Sequence, residues 1–299
     1  MTSPWIVVSH VAADGDNSAL SVAGIASMLL FDLGALAVGH GEPTPHVQLT
    51  AGFGSEDEAR HAADELDSAL RSVSCEAKVD PDYLAWVDQQ REGIQPTTVG
   101  GWRIRAPWYE PIDRSDPSSN EMSNEIVIDP GSAFGHGAHP STRLSIELLL
   151  EALELDGARN YSTVVDLGTG TGVLAILAAK NGREVRATES DAASVEVARA
   201  NIERNNVDAT IELAHGDASN AAVEESDLVV ANVTIDVHRQ IFENYRRARR
   251  IIVAGLLCSQ VAEMIALLPT HDAKIVKTSA EWAGIDFELS TLRGPTSSR

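Results

Sequence analysis

The segment TVVDLGTGTGVLAILAAK, residues 163–180, decides the fold. It opens with apolar, mostly β-branched residues, which predict a buried strand. Three glycines, Gly168, Gly170 and Gly172, follow directly, and a run of helix formers comes after them. A strand that leads through a glycine loop into a helix is the place where a doubly wound α/β fold binds its cofactor.

The spacing of these glycines distinguishes between two classes of ligand. A dinucleotide fingerprint would have its third glycine at position 173, where this chain has Val173. The observed G-x-G-x-G pattern therefore disfavours a pyrophosphate. Backbone N–H groups at a helix N-terminus can instead hold a carboxylate, so the loop suits a nucleoside that carries an amino acid, such as S-adenosylmethionine. The alternative is a strand–helix turn that binds no ligand.

Two acidic residues follow the next two strands of the pattern. Glu189 ends the strand VRATE, where a carboxylate can accept hydrogen bonds from both ribose hydroxyls. Asp217 lies in HGDA, after the third strand, and could accept a bond from the adenine amino group. An aspartate in that place is equally well explained as a helix cap.

Strand and helix patterns alternate outward from the glycine loop. Apolar strands and helical stretches succeed one another through RIIVAGL, residues 250–256, and the chain then ends in two strands without a helix between them. Such alternation predicts a Rossmann-like α/β domain with a parallel, seven-stranded sheet that closes with an antiparallel hairpin. We place this domain at residues 125–293 and expect residues 294–299 to be a frayed tail.

A different pattern of strands and helices precedes the α/β domain in the sequence. Residues 1–80 read as strand, helix, strand, strand, helix and strand, and a capping box at Ser55 starts the second helix. This order predicts a small ferredoxin-like α+β domain. Residues 81–124 are rich in proline and polar residues, so we interpret them as a linker with one strand at residues 102–105.

The composition is that of an acidic globular chain. Of the 299 residues, 43% are hydrophobic and 22% charged, and the net charge is −21. This charge argues against direct binding of nucleic acid and favours a basic partner, although solubility alone also explains it. The two cysteines have no metal-ligand spacing, and no segment is long enough to span a membrane. We expect a cytoplasmic protein without a metal; the oligomeric state stays open.

The stretch IDPGSAFGHGAHPST, residues 128–142, resembles the segment DPGxAFGTGTHPTT of the ribosomal protein L11 methyltransferase family. The resemblance continues through VVDLGTGTGVLAI, DLVVANV, GLLCSQVAE and EWAGIDFEL in family order. It implies a class I methyltransferase that uses S-adenosylmethionine, preceded by a substrate-recognition domain. The implied cofactor contacts are Thr142, Gly168, Glu189 and Asn232, to which the glycine loop adds Gly170 and Gly172.

The chain departs from the family at three site positions. His136 and Ala138 replace the two threonines of GTGT, and Glu189 replaces an aspartate. The longer carboxylate can still bridge a ribose diol. The segment around His136 is expected to line the acceptor channel, so we take Phe134, His136 and His139 as channel candidates. The two histidines are candidate general bases, but loop histidines are more often structural.

Asn232, at the end of the fourth strand, is the predicted catalytic residue, because its carbonyl oxygen can orient the lone pair of an amine. The signature Asn-Pro-Pro-Tyr, which other methyltransferases use for amides and base amines, is absent from the sequence. The expected acceptors are therefore lysine and N-terminal amines of a basic ribosomal protein. The alternatives are another protein or small amine as acceptor, and a binding module that has lost turnover.

Overall fold

The computed structural model describes residues 5–13, 18–33, 35, 37–40, 46–79, 94–112, 124–131, 133–155, 161, 163–225 and 227–290. The helices are α1 Ala19–Asp32, α2 Glu56–Ala69, α3 Pro140–Leu155, α4 Val173–Lys180, α5 Ala192–Arg204, α6 Ile235–Tyr245 and α7 Val261–Leu267. The strands are β1 Trp5–Val11, β2 Ala37–His40, β3 Val47–Phe53, β4 Val73–Val79, β5 Thr97–Val99, β6 Trp102–Arg105, β7 Asn124–Val127, β8 Val164–Leu167, β9 Val185–Glu189, β10 Ile211–His215, β11 Leu228–Asn232, β12 Arg250–Leu257, β13 His271–Ser279 and β14 Trp282–Leu289. None of the helices in these ranges has the length and apolarity that crossing a membrane requires.

The largest sheet has seven strands in the order β10-β9-β8-β11-β12-β14-β13. Its first five strands are parallel, and β14 joins β12 and β13 in antiparallel pairs. This arrangement confirms the predicted α/β sheet and its closing hairpin. Helices cover both faces of this sheet, so its central strands are buried on both sides. This explains why β8, β11 and β12 are apolar almost throughout.

The sheet separates two hydrophobic cores. Neighbouring residues of one strand point into opposite cores, as Val164 and Val165 of β8 do. Helices α3, α4 and α5 cover one core, and α6 and α7 cover the other. Both cores are mainly aliphatic, which fits the low aromatic content of 5%. The sheet therefore forms a rigid middle layer whose strand ends carry the loops.

The predicted linker region contains more strands than the one expected at residues 102–105. Strands β5 and β6 form a hairpin, β7 pairs parallel to β6, and the buried side chains of Trp102 and Ile104 join the core beneath α3 and α4. The strand predicted at residues 102–105 is β6, where Trp102 and Ile104 alternate with arginines; its pairing with β5 and β7 was not predicted. Trp102 and Ile104 thus pack with the C-terminal α/β unit. The linker bounds stay a prediction, because residues 80–93, 113–123 and 291–299 lie outside the described ranges.

The N-terminal residues form a separate four-stranded sheet in the order β2-β3-β1-β4, with every pair antiparallel. Helices α1 and α2 pack on one face of it around Phe53 and Leu66. Ser55 caps α2 by accepting a bond from the backbone N–H of Glu58. The element order agrees with the split βαβ pattern, and the ferredoxin-like assignment stays a prediction.

A buried ion pair joins the closing hairpin to the parallel strands. The guanidinium of Arg250, at the start of β12, donates two hydrogen bonds to Asp286 of β14, at 2.8 and 2.6 Å. The side chain of Arg250 is 4% exposed and that of Asp286 is fully buried. The remaining donors of Arg250 face the hydroxyl of Tyr161 and the carbonyl of Ala152, each at 3.4 Å.

We expect Asp286→Ala to lower the free energy of unfolding by about 3–5 kcal/mol, because it leaves the Arg250 charge buried and unpaired. Urea denaturation followed by circular dichroism measures the loss. The control is Glu151→Ala, which removes an exposed partner of Lys277 and should cost less than about 1 kcal/mol. Equal losses in the two variants would contradict this account of the pair.

A second buried polar contact fixes α6 to β12. The Nε2–H of His238 donates to the carbonyl oxygen of Ala254 at 2.9 Å, and Nδ1 accepts from the hydroxyl of Tyr245 at 2.7 Å. Ala254 is the β12 neighbour of Asn232 on β11. Burial lowers the pKa of His238 from 6.5 to about 4, so the ring is neutral near pH 7.

This shift predicts acid destabilisation. Because the unfolded chain takes up the proton at a higher pH than the native state, stability is lost as the pH falls from about 6.5 to about 4, at up to about 1.4 kcal/mol per pH unit. His238→Gln cannot titrate and should lack this component. Unfolding midpoints in urea across that pH range give the difference, and parallel profiles for the two proteins would refute the prediction.

Candidate functional site

A cleft of about 220 Å³ lies at the carboxyl ends of β8, β9 and β11, where doubly wound sheets bind ligands. The predicted site residues that line it are Phe134, Gly168, Gly170, Glu189, Asp217 and Asn232. Five separate segments of the sequence supply them. The structure thus brings most of the predicted site together in one cavity.

The glycine loop follows β8 and has a backbone that favours glycine. Gly168 and Gly170 have positive φ angles of 73° and 54°. The N–H groups of Gly168 and Thr169 donate to the carbonyl oxygen of Thr188 on β9, each at 3.0 Å. A Cβ atom on Gly170 would lie 2.5 Å from the carbonyl oxygen of Phe134. The loop therefore needs glycine both for its conformation and for the segment that covers it.

The covering segment, residues 133–139, is bound directly to this loop. The N–H of Thr171 donates to the carbonyl oxygen of Phe134 at 3.0 Å, and the Thr171 hydroxyl donates to that of Gly135 at 2.8 Å. Thr171 is fully buried. The two segments consequently form one wall of the cleft, although more than thirty residues separate them in the sequence.

Two asparagines, Asn201 of α5 and Asn205 at its C-cap, hold the strand that leads into this segment. The side-chain amide of Asn205 accepts from the N–H of Val127 at 3.0 Å and donates to its carbonyl at 2.7 Å. Asn201 makes the same pair of bonds with Asp129, both at 2.9 Å, and also donates to Thr171. Sequence reasoning assigned these residues only to a helix. Their spacing of four residues places both on one helix face.

Glu189 ends β9 at the cleft, as predicted. One carboxylate oxygen accepts from the N–H of Gly170 at 2.9 Å, and the other accepts from the N–H groups of Ser190 and Asp191 at 2.8 and 3.1 Å. A carboxylate has about four acceptor sites, so lone pairs remain for a diol. These bonds also fix the position of the carboxylate before any ligand arrives.

Asp217 has both of the features that the sequence left open. It lines the cleft, and its side chain caps a short 3₁₀ helix by accepting from the N–H of Ser219 at 2.7 Å. These bonds lower the pKa of its carboxyl. The cap uses only part of the carboxylate's acceptor capacity, so acceptor sites remain for the adenine amino group. The adenine contact stays a prediction.

Asn232 lines the cleft and carries an acceptor without a hydrogen-bond partner. Its side-chain nitrogen donates to the hydroxyl of Thr142 at 3.3 Å, which orients the amide. The carbonyl oxygen Oδ1 is buried and has no hydrogen-bond partner. Thr142 is fully buried in the first turn of α3 and does not line the cleft, so its role in this structure is to hold Asn232.

Three further predicted residues lie outside the cleft wall. Gly172 caps α4 with a positive φ of 83°, which favours glycine there. His136 has a buried Nδ1 without a partner, and burial lowers the pKa of its ring. His139 accepts at Nδ1 from the N–H of Ser141 and packs edge-on against Phe134 and Trp282. Neither histidine reaches the cleft as a general base would.

Sequence reasoning gave no role to Asp166, the last polar residue before the glycine loop. Its Oδ2 accepts from the Thr169 hydroxyl at 2.6 Å and from the N–H of Ala175 at 3.1 Å, while Oδ1 is buried without a partner. Burial raises the pKa of this carboxyl to about 7. The available signal was an acid within an otherwise apolar strand. Among the described residues, no cluster of histidine, cysteine or acidic side chains is placed to hold a metal.

The sheet order, the glycine loop and the carboxylate at the end of β9 define a Rossmann-like fold of the class I methyltransferase type. More particularly, the chain belongs to the ribosomal protein L11 methyltransferase family, whose model matches residues 34–289. The family resemblance of the sequence motifs is thereby confirmed.

Individual relatives agree with this assignment. A ribosomal protein L11 methyltransferase of Exiguobacterium sp. is 33% identical over 211 residues, which cover 68% of this chain and 64% of the relative. The protein of the same name from Desulfitobacterium hafniense is 31% identical over 198 residues, covering 64% and 60%. The chain therefore spans less than two thirds of the length of these curated relatives.

A solved structure shows the same fold. The crystal structure of ribosomal protein L11 methylase from Lactobacillus delbrueckii subsp. bulgaricus aligns with a TM-score of 0.54 at 22% sequence identity. The alignment covers 66% of this chain and all of the solved chain.

The contact between Gly170 and Phe134 generates a test of the cleft. Gly170→Ala should weaken binding of S-adenosylmethionine at least about tenfold, a change of about 1.4 kcal/mol, since the new methyl group displaces the covering segment. Isothermal titration calorimetry measures the dissociation constant.

The matched control is Gly182→Ala. Gly182 also has a positive φ, 79°, but nothing lies within 4 Å of its added Cβ. Both variants therefore carry backbone strain of about 1–2 kcal/mol, and only Gly170→Ala should lose affinity. Equal affinities would show that the covering segment does not depend on this contact.

Proposed function

We propose that this chain is a cytoplasmic protein N-methyltransferase that transfers methyl groups from S-adenosylmethionine to lysine and N-terminal amines of a basic ribosomal protein like L11. One observation carries the proposal: Asn232, whose side-chain carbonyl oxygen has no hydrogen-bond partner, lines the same cleft as the glycine loop and Glu189. Family membership supports the substrate class. The net charge of −21 suits attraction of a basic protein.

The residues of the cleft fit this donor. Gly168 and Gly170 line the cleft without side chains, and Glu189 offers acceptor sites to a ribose diol. The buried Oδ1 of Asp166 lacks a hydrogen-bond partner just behind the loop. When bound, S-adenosylmethionine supplies an electrophilic methyl group on a sulfonium and leaves as a neutral thioether.

The chain itself has to orient the acceptor and exclude water. A lysine amine has an ordinary pKa of about 10.4, so it must lose a proton before its lone pair can attack. The apolar surroundings given by Phe134 and Val233 favour the neutral amine by desolvation. Oδ1 of Asn232 can accept one N–H of that amine and thereby aim the lone pair.

The direct test incubates the purified chain with methyl-labelled S-adenosylmethionine and unmethylated ribosomal protein L11, followed by intact-mass analysis. Mass increments of successive methyl groups on L11 support the proposal. Cofactor binding without methylation of L11, but with label in another component of a cell extract, would identify a different acceptor. Binding with no label in any fraction would identify a non-turnover module.

Asn232→Ala should lower kcat about 100-fold, because a misaligned acceptor loses the advantage of orientation. The dissociation constant for S-adenosylmethionine should stay within about threefold if Asn232 acts mainly on the acceptor. Thr142→Val, which keeps the shape of the threonine but frees the Asn232 amide, should cause a smaller loss of kcat. Initial rates and calorimetry on the three proteins provide the comparison; unchanged turnover in Asn232→Ala removes the role given to this residue.

A further inference from the structure

Helix α1 of the N-terminal unit is buried on two sides. Val22, Ala26 and Leu30 pack into the core of the N-terminal sheet. Ile25 and Met28 instead belong to a cluster with residues of the C-terminal α/β unit, among them Leu144 and Trp282. A helix that is apolar around its circumference needs partners on both sides. This explains why the sequence of α1, ALSVAGIASMLLFD, shows no polar face.

The second face of α1 makes close contact with the C-terminal α/β unit. A Cβ on Gly24 would lie 2.4 Å from the Trp282 ring, so the ring lies directly against the helix backbone. At the start of the helix, the N–H of Ser18 donates to both carboxylate oxygens of Glu281 at 3.1 Å, and its hydroxyl donates at 2.6 Å. The turn between β13 and β14 thus holds the N-terminus of α1.

Two side chains of the same face reach the cleft. Gly24, Met28 and Phe31 are four and three residues apart, so they share one side of the helix. Met28 and Phe31 line the cavity that Asn232 lines, and the ring of Phe31 is 6.1 Å from that of Phe134.

Met28 lies close to the end of β11. A Cβ on Gly255 would lie 3.0 Å from the terminal methyl of Met28 and 2.2 Å from the carbonyl oxygen of Val233. Gly255 has a φ of 82° and interrupts the pairing of β12 with β14. This interruption allows Met28 and the residue after Asn232 to approach the same point.

We propose that α1 forms one wall of the acceptor channel, and that Met28 and Phe31 are specificity-determining residues that favour an amine on an unbranched methylene chain. This inference rests on the proposed function. A lysine side chain places only methylene groups against Phe31 and Met28. An N-terminal amine carries a peptide carbonyl next to its α-carbon, and an apolar wall gives that carbonyl no hydrogen-bond donor.

The experiment measures how label is distributed among the amines of one substrate. Wild type, Phe31→Ala and Met28→Ala are each incubated with labelled S-adenosylmethionine and unmethylated L11, and peptide mapping at early times gives the ratio of lysine to N-terminal methylation. This ratio is independent of the fraction of active enzyme. We expect it to fall about tenfold in Phe31→Ala, the size of discrimination that a few methylene contacts give.

The matched control is Leu29→Ala. Leu29 lies on the same helix but packs against the N-terminal core and does not line the cleft. It should keep the wild-type ratio even where its overall rate falls. Phe31→Leu, which keeps an apolar side chain, should give an intermediate ratio and replaces Phe31→Ala if that variant does not fold.

The outcomes separate the two proposals. No transfer to L11 by the wild type overturns the proposed function. Transfer with an unchanged ratio in both Phe31→Ala and Met28→Ala overturns only the role of α1, as does a wild type that labels N-terminal amines alone. A wild type that labels lysines alone, together with N-terminal label appearing in Phe31→Ala, supports the channel wall.

Discussion

The carbonyl oxygen of Phe134 occupies the space that a side chain on residue 170 would need, and it accepts the N–H of Thr171 there. Much of the site depends on this contact. It joins the segment that carries Phe134 to the loop that follows β8, and Glu189 binds the same loop from the other side through the N–H of Gly170. The covering segment, the glycine loop and the end of β9 are thereby joined at Gly170 and the residue after it. A methyl group at Gly170 would therefore disturb all of them together.

The parts of the fold that could be predicted are those that local pattern determines. Apolar strands that alternate with helical stretches predicted a parallel seven-stranded sheet with a closing hairpin, because strands covered on both faces are apolar almost throughout. Strand β6 was predicted, but its hairpin with β5 and the burial of Trp102 and Ile104 were missed, since these residues lie within a stretch rich in glycine and arginine. Their burial depends on α3 and α4, which the local sequence does not show.

The candidate site divides in the same way. Gly168, Glu189 and Asn232 each stand at the end of a predicted strand, and the sheet brings strand ends together. Thr142 and Asp166 act behind the cleft, through the Asn232 amide and through the glycine loop, and no spacing rule distinguishes such support from direct contact. The packing of α1 on two sides could not be predicted either, because a uniformly apolar helix does not indicate how many partners it has.

The side-chain amides of Asn201 and Asn205, at the end of α5, have a further consequence for β7. This strand is at the edge of its small sheet, and an edge strand offers unpaired N–H and C=O groups to any extended chain that approaches. Asn205 bonds both backbone groups of Val127, as a neighbouring strand would, and Asn201 repeats the pattern at Asp129. A helix thus closes the end of this edge with its side chains. The strand that leads to the cleft is therefore protected there from pairing with another molecule and from the aggregation that such pairing begins.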